Sequence, residues 1–114
     1  MASPETIEKR LQELRTLADD YAKARANTVY IEEFKKSKLA LLMKEAERNG
    51  VKTAAAQERD ALAHHEYIEL LHGLRAATEV SERSRWLLRI AEMGSELYRT
   101  EQANQRAERK GYGA

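Results

Sequence analysis

Few side chains in this sequence could do chemistry. Cysteine is absent, so there is no thiolate nucleophile, no disulfide and no thiolate metal site. The three histidines are His64, His65 and His72. On a helix His64 and His65 point about 100° apart, and His72 lies about 10 Å beyond His65. Neither pair has the i, i+3 or i, i+4 spacing that lets two imidazoles share an ion. Glu69 falls four after His65 and three before His72, so only a Glu-centred site is conceivable. No metal and no other cofactor is expected. The neighbouring carboxylates Glu32-Glu33, Glu45/Glu47 and Glu58/Asp60 sit in charged helical stretches. Catalytic carboxylate pairs need a concave, partly desolvated pocket, and nothing in the sequence suggests one. No GxSxG, phosphate-gripping Gly loop or HExxH occurs. No catalytic residue is named, and the chain does not read as an enzyme.

The remaining chemistry is cationic. Lys35, Lys36, Lys38, Lys44 and Lys52 crowd one span, and Arg83, Arg85 and Arg89 form a second cluster. Lys35 and Lys38 share a helix face, but the next position of that row is Leu42. Arg85 and Arg89 share another face, and Glu82 can pair with Arg85 at i, i+3. Tyr30 and Phe34 adjoin the lysines, and Trp86 interrupts the arginines. A cationic track with aromatic platforms is what sequence-independent single-strand binding uses. The competing reading makes Tyr30, Phe34 and Trp86 core residues and the cations a solvated face. Composition alone favours that second reading. Net charge is only +1, but it is distributed in blocks: residues 35–52 carry +4 and residues 53–82 carry −4. Such blocks suit pairing within or between chains, or an exposed basic surface for a polyanion.

The elements that hold these groups read as helices. One Pro and five Gly leave few breakers. A first long helix is expected over 4–49, with Ser3 as N-cap, Pro4 at the first helical position and Glu5 at the positive end of the dipole. Ile7, Leu11, Leu14, Ala18 and Tyr21 repeat at four-three spacing, as in a coiled-coil seam. Arg25 and Thr28 follow in register. The seam resumes at Ile31, Phe34 and Leu41, with Lys38 between. The skip near 25–30 suggests a register shift or gentle bend. Unbroken, this helix is about 65–70 Å long, too long for a chain of 114 residues to bury. It therefore needs a partner chain or a break near Asn27. Asn49-Gly50 should end it, with Gly50 left-handed. Thr53 should cap a short connector helix over 53–63. His64-His65 mark a kink or short loop. A second long helix is expected over 66–106, its seam running through Leu70, Leu74, Ala77, Ser81, Ser84, Leu88, Ala91, Ser95 and Tyr98. Residues 107–114 read as a frayed tail. The fold class is all-α: two long helices joined by a short helical connector, hairpin- or bundle-like, in a single domain that is oligomeric.

The order of YIEEFKKSKLALLMKEAERNG, a short connector, AAAQERDALAHHEYIELLHGLRAA and RWLLRIAEMGSELYRTEQANQRAER resembles the small helical accessory proteins of tailed phages. More distantly it is similar to UvsY-type recombination mediators, over about residues 15–108. These are helical patterns, not fixed catalytic residues. The resemblance implies single-stranded DNA binding, assistance in loading a recombinase onto strands coated by single-strand-binding protein, and a ring-like homo-oligomer. The family's basic positions would fall on Lys38 and Lys44. The connector is shorter than the family's, and the last helix has a polar, partly basic tail. The alternative is a non-catalytic protein–protein adaptor, or a phage inhibitor of a host complex, that binds no nucleic acid. The N-terminus lacks an apolar signal core and no run approaches a membrane span, so no membrane partner is expected and the location reads as cytoplasmic, in the host if the chain is of phage origin.

Overall fold

A computed structural model describes residues 4–113 of the chain. Three helices account for nearly all of them: α1 (Pro4–Arg48), α2 (Ala54–Leu62) and α3 (His65–Gly113). No strand occurs among the described residues. The expected Ser3 cap lies outside them. The all-α class, with two long helices and a short connector, is as the sequence predicts.

The ends of the elements follow local chemistry. α1 closes in a Schellman motif. Gly50 takes φ 96°, the Val51 N–H donates to the Ala46 carbonyl at 3.0 Å, and the Gly50 N–H donates to that of Glu47 at 3.1 Å. Any residue with a Cβ would be strained at that φ. Thr53 is extended, and its hydroxyl accepts from the Ala56 N–H at 3.2 Å, the expected N-cap. Gln57 ties the connector down through a 2.9 Å bond from Nε2 to the Val51 carbonyl. Between α2 and α3 only Ala63 and His64 leave the helix.

α1 is one helix through 25–30, as the expected span 4–49 has it, with no Gly or Pro to interrupt it; the register shift suggested there does not occur, since the inward-facing residues never skip. One expectation about the helix ends changes. α3 continues to Gly113 instead of fraying after 106. Residues 101–110 are strong helix formers, and a single Gly at 111 is too weak to stop such a run.

The described residues divide into two compact units where the sequence suggests one domain. One unit pairs 4–22 with 83–113; the other is Lys23–Glu82. In the first, Ile7, Leu11 and Leu14 line a groove with Ser95, Tyr98 and Arg99. Leu14 also borders Ala91 and Gly94, so the two stretches run antiparallel. The Arg10 guanidinium lies 3.8 Å from the centre of the Tyr98 ring, a close cation–π contact. In the second unit the chain turns back through α2, and Leu42, Ala61 and Tyr67 form the core, with Leu39 and Met43 against it.

Burial separates the units. Among the described residues Thr28, Leu42, Ala46, Ala61, Tyr67, Ala77 and Ser81 are buried, and all of them lie within Lys23–Glu82. In the inner unit α2 adds a third element beside Leu42 and Tyr67, while Thr28, Ala77 and Ser81, outside that cluster, are small side chains that are also buried. Gly73 sits inside α3 with open space where its Cβ would be. Gly73→Ala is therefore expected to stabilise the chain by about 0.5–1 kcal/mol, read as a raised urea midpoint at unchanged slope.

Candidate interaction surfaces

The seam of α1 differs from its sequence reading by one residue at every second contact. Half-buried and buried positions recur at Arg10, Leu14, Leu17, Tyr21, Ala24, Thr28, Ile31, Lys35, Lys38 and Leu42. Leu14, Tyr21, Thr28, Ile31 and Lys38 are expected there from the sequence. Ile7, Leu11, Ala18, Arg25, Phe34 and Leu41 are expected too, but all six are exposed. An uninterrupted four-three alternation admits Lys35 and Leu42, not Phe34 and Leu41. A lysine is tolerated at such a position because its methylene stem packs while the ammonium reaches out. On α3 the seam is as expected: Leu70, Leu74, Ala77, Ser81, Ser84, Leu88, Ala91, Ser95 and Tyr98 all face inward.

This shift changes the cationic surface. Lys38 is paired across the inner unit: its Nζ donates to Glu66 Oε2 at 2.9 Å, with only 24% of the lysine side chain exposed. Lys36 lies 3.4 Å from the Glu33 carboxylate. Arg89 is 3.5 Å from Glu92 in the other unit. The Arg85 guanidinium lies 5.2 Å from the centre of the Trp86 ring. Lys35 is half-buried on the seam. Lys44 and Lys52 are exposed, and neither has an ion-pair partner among the described residues. The lysines therefore do not form one open track on α1.

None of the three aromatic residues is core. Tyr30 is 68% exposed and Trp86 is 57% exposed, and Phe34 also faces outward. Tyr30 and Phe34 stack on each other with ring centres 6.1 Å apart and planes 10° apart. They begin a second stripe on α1 that continues through Ser37 and Leu41 to Lys44, again at four-three spacing. α3 carries a comparable second stripe, opposite its seam: Trp86, Ile90, Met93 and Leu97, all exposed.

The turn between α2 and α3 gathers groups that sequence reasoning missed. Ligand atoms of Glu45, His64 and Glu66 lie within 4.8 Å of one another. His64 serves as the N-cap of α3: its Nδ1 accepts from the Glu66 N–H at 3.1 Å. That places the imidazole proton on Nε2, so neither nitrogen offers a lone pair to a cation while the cap holds. The Lys38 ammonium on Glu66 opposes a cation further. The triad is thus better suited to capping the helix than to holding a metal. Histidine is not a preferred cap residue, so no sequence signal marks this role.

The Lys38 hydrogen bond, and then its charge, hold the Glu66 carboxyl below its ordinary value of 4.5. A carboxyl lowered in the folded chain stabilises the fold above the unfolded value, and that support disappears as pH falls through the folded value. Glu66→Gln is therefore expected to lower the urea midpoint slightly at neutral pH. The difference from the parent should close below the ordinary carboxyl value. A gap that persists in acid would show that Lys38 is not its source.

No helix among the described residues is long and apolar enough to cross a membrane. Against known protein families, curated proteins and solved structures, the chain matches none.

Proposed function

We propose that the chain is a non-catalytic helical interaction module, whose work is done by packing uncovered helix faces against other helical surfaces. One observation carries this reading. Among the described residues fifteen large apolar side chains are exposed, while the buried apolar set is Leu42, Ala46, Ala61, Tyr67 and Ala77. The exposed residues are not scattered: two sets form stripes at four-three spacing, the pattern of a helix meant for another helix. Acting through faces needs no catalytic pocket.

The second reading is the single-strand-binding recombination accessory that the resemblance implies, with a recombinase or single-strand-binding protein as partner. The exposed Tyr30–Phe34 stack favours it, because open rings on the helix face that ends in Lys44 are a platform for bases. Against it, Lys38, one of the two positions the resemblance assigns to DNA, is held by Glu66.

Light scattering combined with an oligo-dT anisotropy titration separates the two. The module reading expects a mass that is a multiple of 13.1 kDa and no strand binding at moderate salt. A monomer that binds oligo-dT tightly, with a steep salt dependence, would overturn it. In that outcome Lys35, Lys44 and Lys52 changed together to Ala should flatten the salt slope by about 0.7 for each phosphate no longer neutralised.

A further inference from the structure

We infer that the occupant of the outer α3 stripe is the same stripe of a second copy, crossing antiparallel about a twofold axis near Ala91 and Glu92. The inference rests on the module reading and names its partner. The stripe is bounded by polar residues of its own register, Arg83 before Trp86 and Thr100 after Leu97. It is therefore symmetric about its middle. An antiparallel second copy sets Trp86 against Leu97 and Ile90 against Met93, and each contact is made twice.

The flanks fit the same crossing. Leu87 lies on one flank and is exposed. Gly94 lies on the same flank, with nothing within 4 Å of where its Cβ would be. The antiparallel register places Leu87 of each copy over Gly94 of the other, a large side chain over an open backbone. On the opposite flank Arg89 meets Glu96 of the second copy, twice. Glu96 is exposed and has no ion-pair partner among the described residues. Arg89 holds only a 3.5 Å, solvent-exposed bond to Glu92, which a second carboxylate can share. The parallel crossing is disfavoured, because it sets Glu96 against Glu101 of the other copy. Among its described residues the unit of 4–22 and 83–113 has no buried residue of its own, and a second copy would supply cover that its two helices do not.

The test uses the full chain in sedimentation or light scattering over roughly 1–100 µM, the range of transient interfaces. The parent should approach twice 13.1 kDa. Gly94→Phe projects a ring from a position where a Cβ meets nothing within 4 Å, at the edge of the groove lined by Arg10, Glu13 and Leu14; the dimer should be lost while circular dichroism shows helicity and the urea midpoint kept. Arg89→Glu should weaken the dimer about tenfold or more. Adding Glu96→Arg to it should restore affinity to within about threefold of the parent, since the same pair forms with its signs exchanged. Assembly that survives Gly94→Phe and ignores the charge reversal overturns this face as the contact, yet leaves the module reading standing. A monomer throughout the range overturns the self-pairing. If that monomer also binds oligo-dT tightly, the module reading falls with it.

Discussion

Leu42→Ala is expected to lower stability by about 2–4 kcal/mol, the usual cost of emptying a leucine site in a core that cannot collapse around it. Leu42 is 3% exposed and meets Ala61 and Tyr67, with only Leu39 and Met43 behind them. The core is small, so no other cluster can take over its share. Since domains of this size are stable by about 5–15 kcal/mol, one such change removes a large fraction of the total. Chemical denaturation followed by circular dichroism should show the midpoint falling sharply. Leu41→Ala is the internal control. Leu41 sits one residue away and is exposed, so its replacement should stay within about 0.5 kcal/mol. Equal effects at the two positions would mean that the α1 seam runs through Leu41 after all.

Ser81→Leu tests the opposite fault. Ser81 is 4% exposed, and its neighbours along the seam, Ala77 and Ser84, are as small as it is. Short side chains let two helices come close, and there is then no room for three more carbon atoms. Overpacking of this kind costs about 1–3 kcal/mol, or a melting temperature lower by roughly 4 °C per kcal/mol. Ser81→Ala keeps the small volume and should come within about 1 kcal/mol of the parent. A Leu variant as stable as the Ala variant would show that the small residues are not required by the packing.

The helices themselves are legible in the sequence because breakers are rare and caps are chemically explicit. Thr53 and Gly50 each have one well-defined role, and each fulfils it. The α3 seam is readable because its four-three run from Leu70 to Tyr98 is unbroken, although the apolar row Trp86, Ile90, Met93 and Leu97 competes with it from the opposite face. The α1 seam is not, because it buries two lysine stems and leaves Phe34 and Leu41 in the open. A reading that sends apolar side chains inward must choose Phe34 over Lys35. The continuous register of a straight helix chooses the other way. The binding track inferred from Lys35, Lys36 and Lys38 suffers for the same reason: sequence proximity groups charges that the helix then distributes among different faces and partners. Glu66 is 28 residues from Lys38, and nothing local announces their pairing. The cap made by His64 is illegible because it depends on a ring nitrogen reaching back over a two-residue turn.

Those two seam lysines also bear on how the inner helices find their alignment. A repeating apolar stripe is nearly indifferent to slippage by one heptad, since each layer looks much like the next. Moving α1 past α3 by seven residues would bring Ile31 or Glu45 opposite Glu66 in place of Lys38. Either shift takes the ammonium away from the Glu66 carboxylate, which has a Glu45 carboxylate oxygen within 4.8 Å even in the native alignment. The Lys38–Glu66 pair, together with the small-residue layers at Thr28, Ala77 and Ser81, therefore works as a key that favours one alignment over its neighbours on either side.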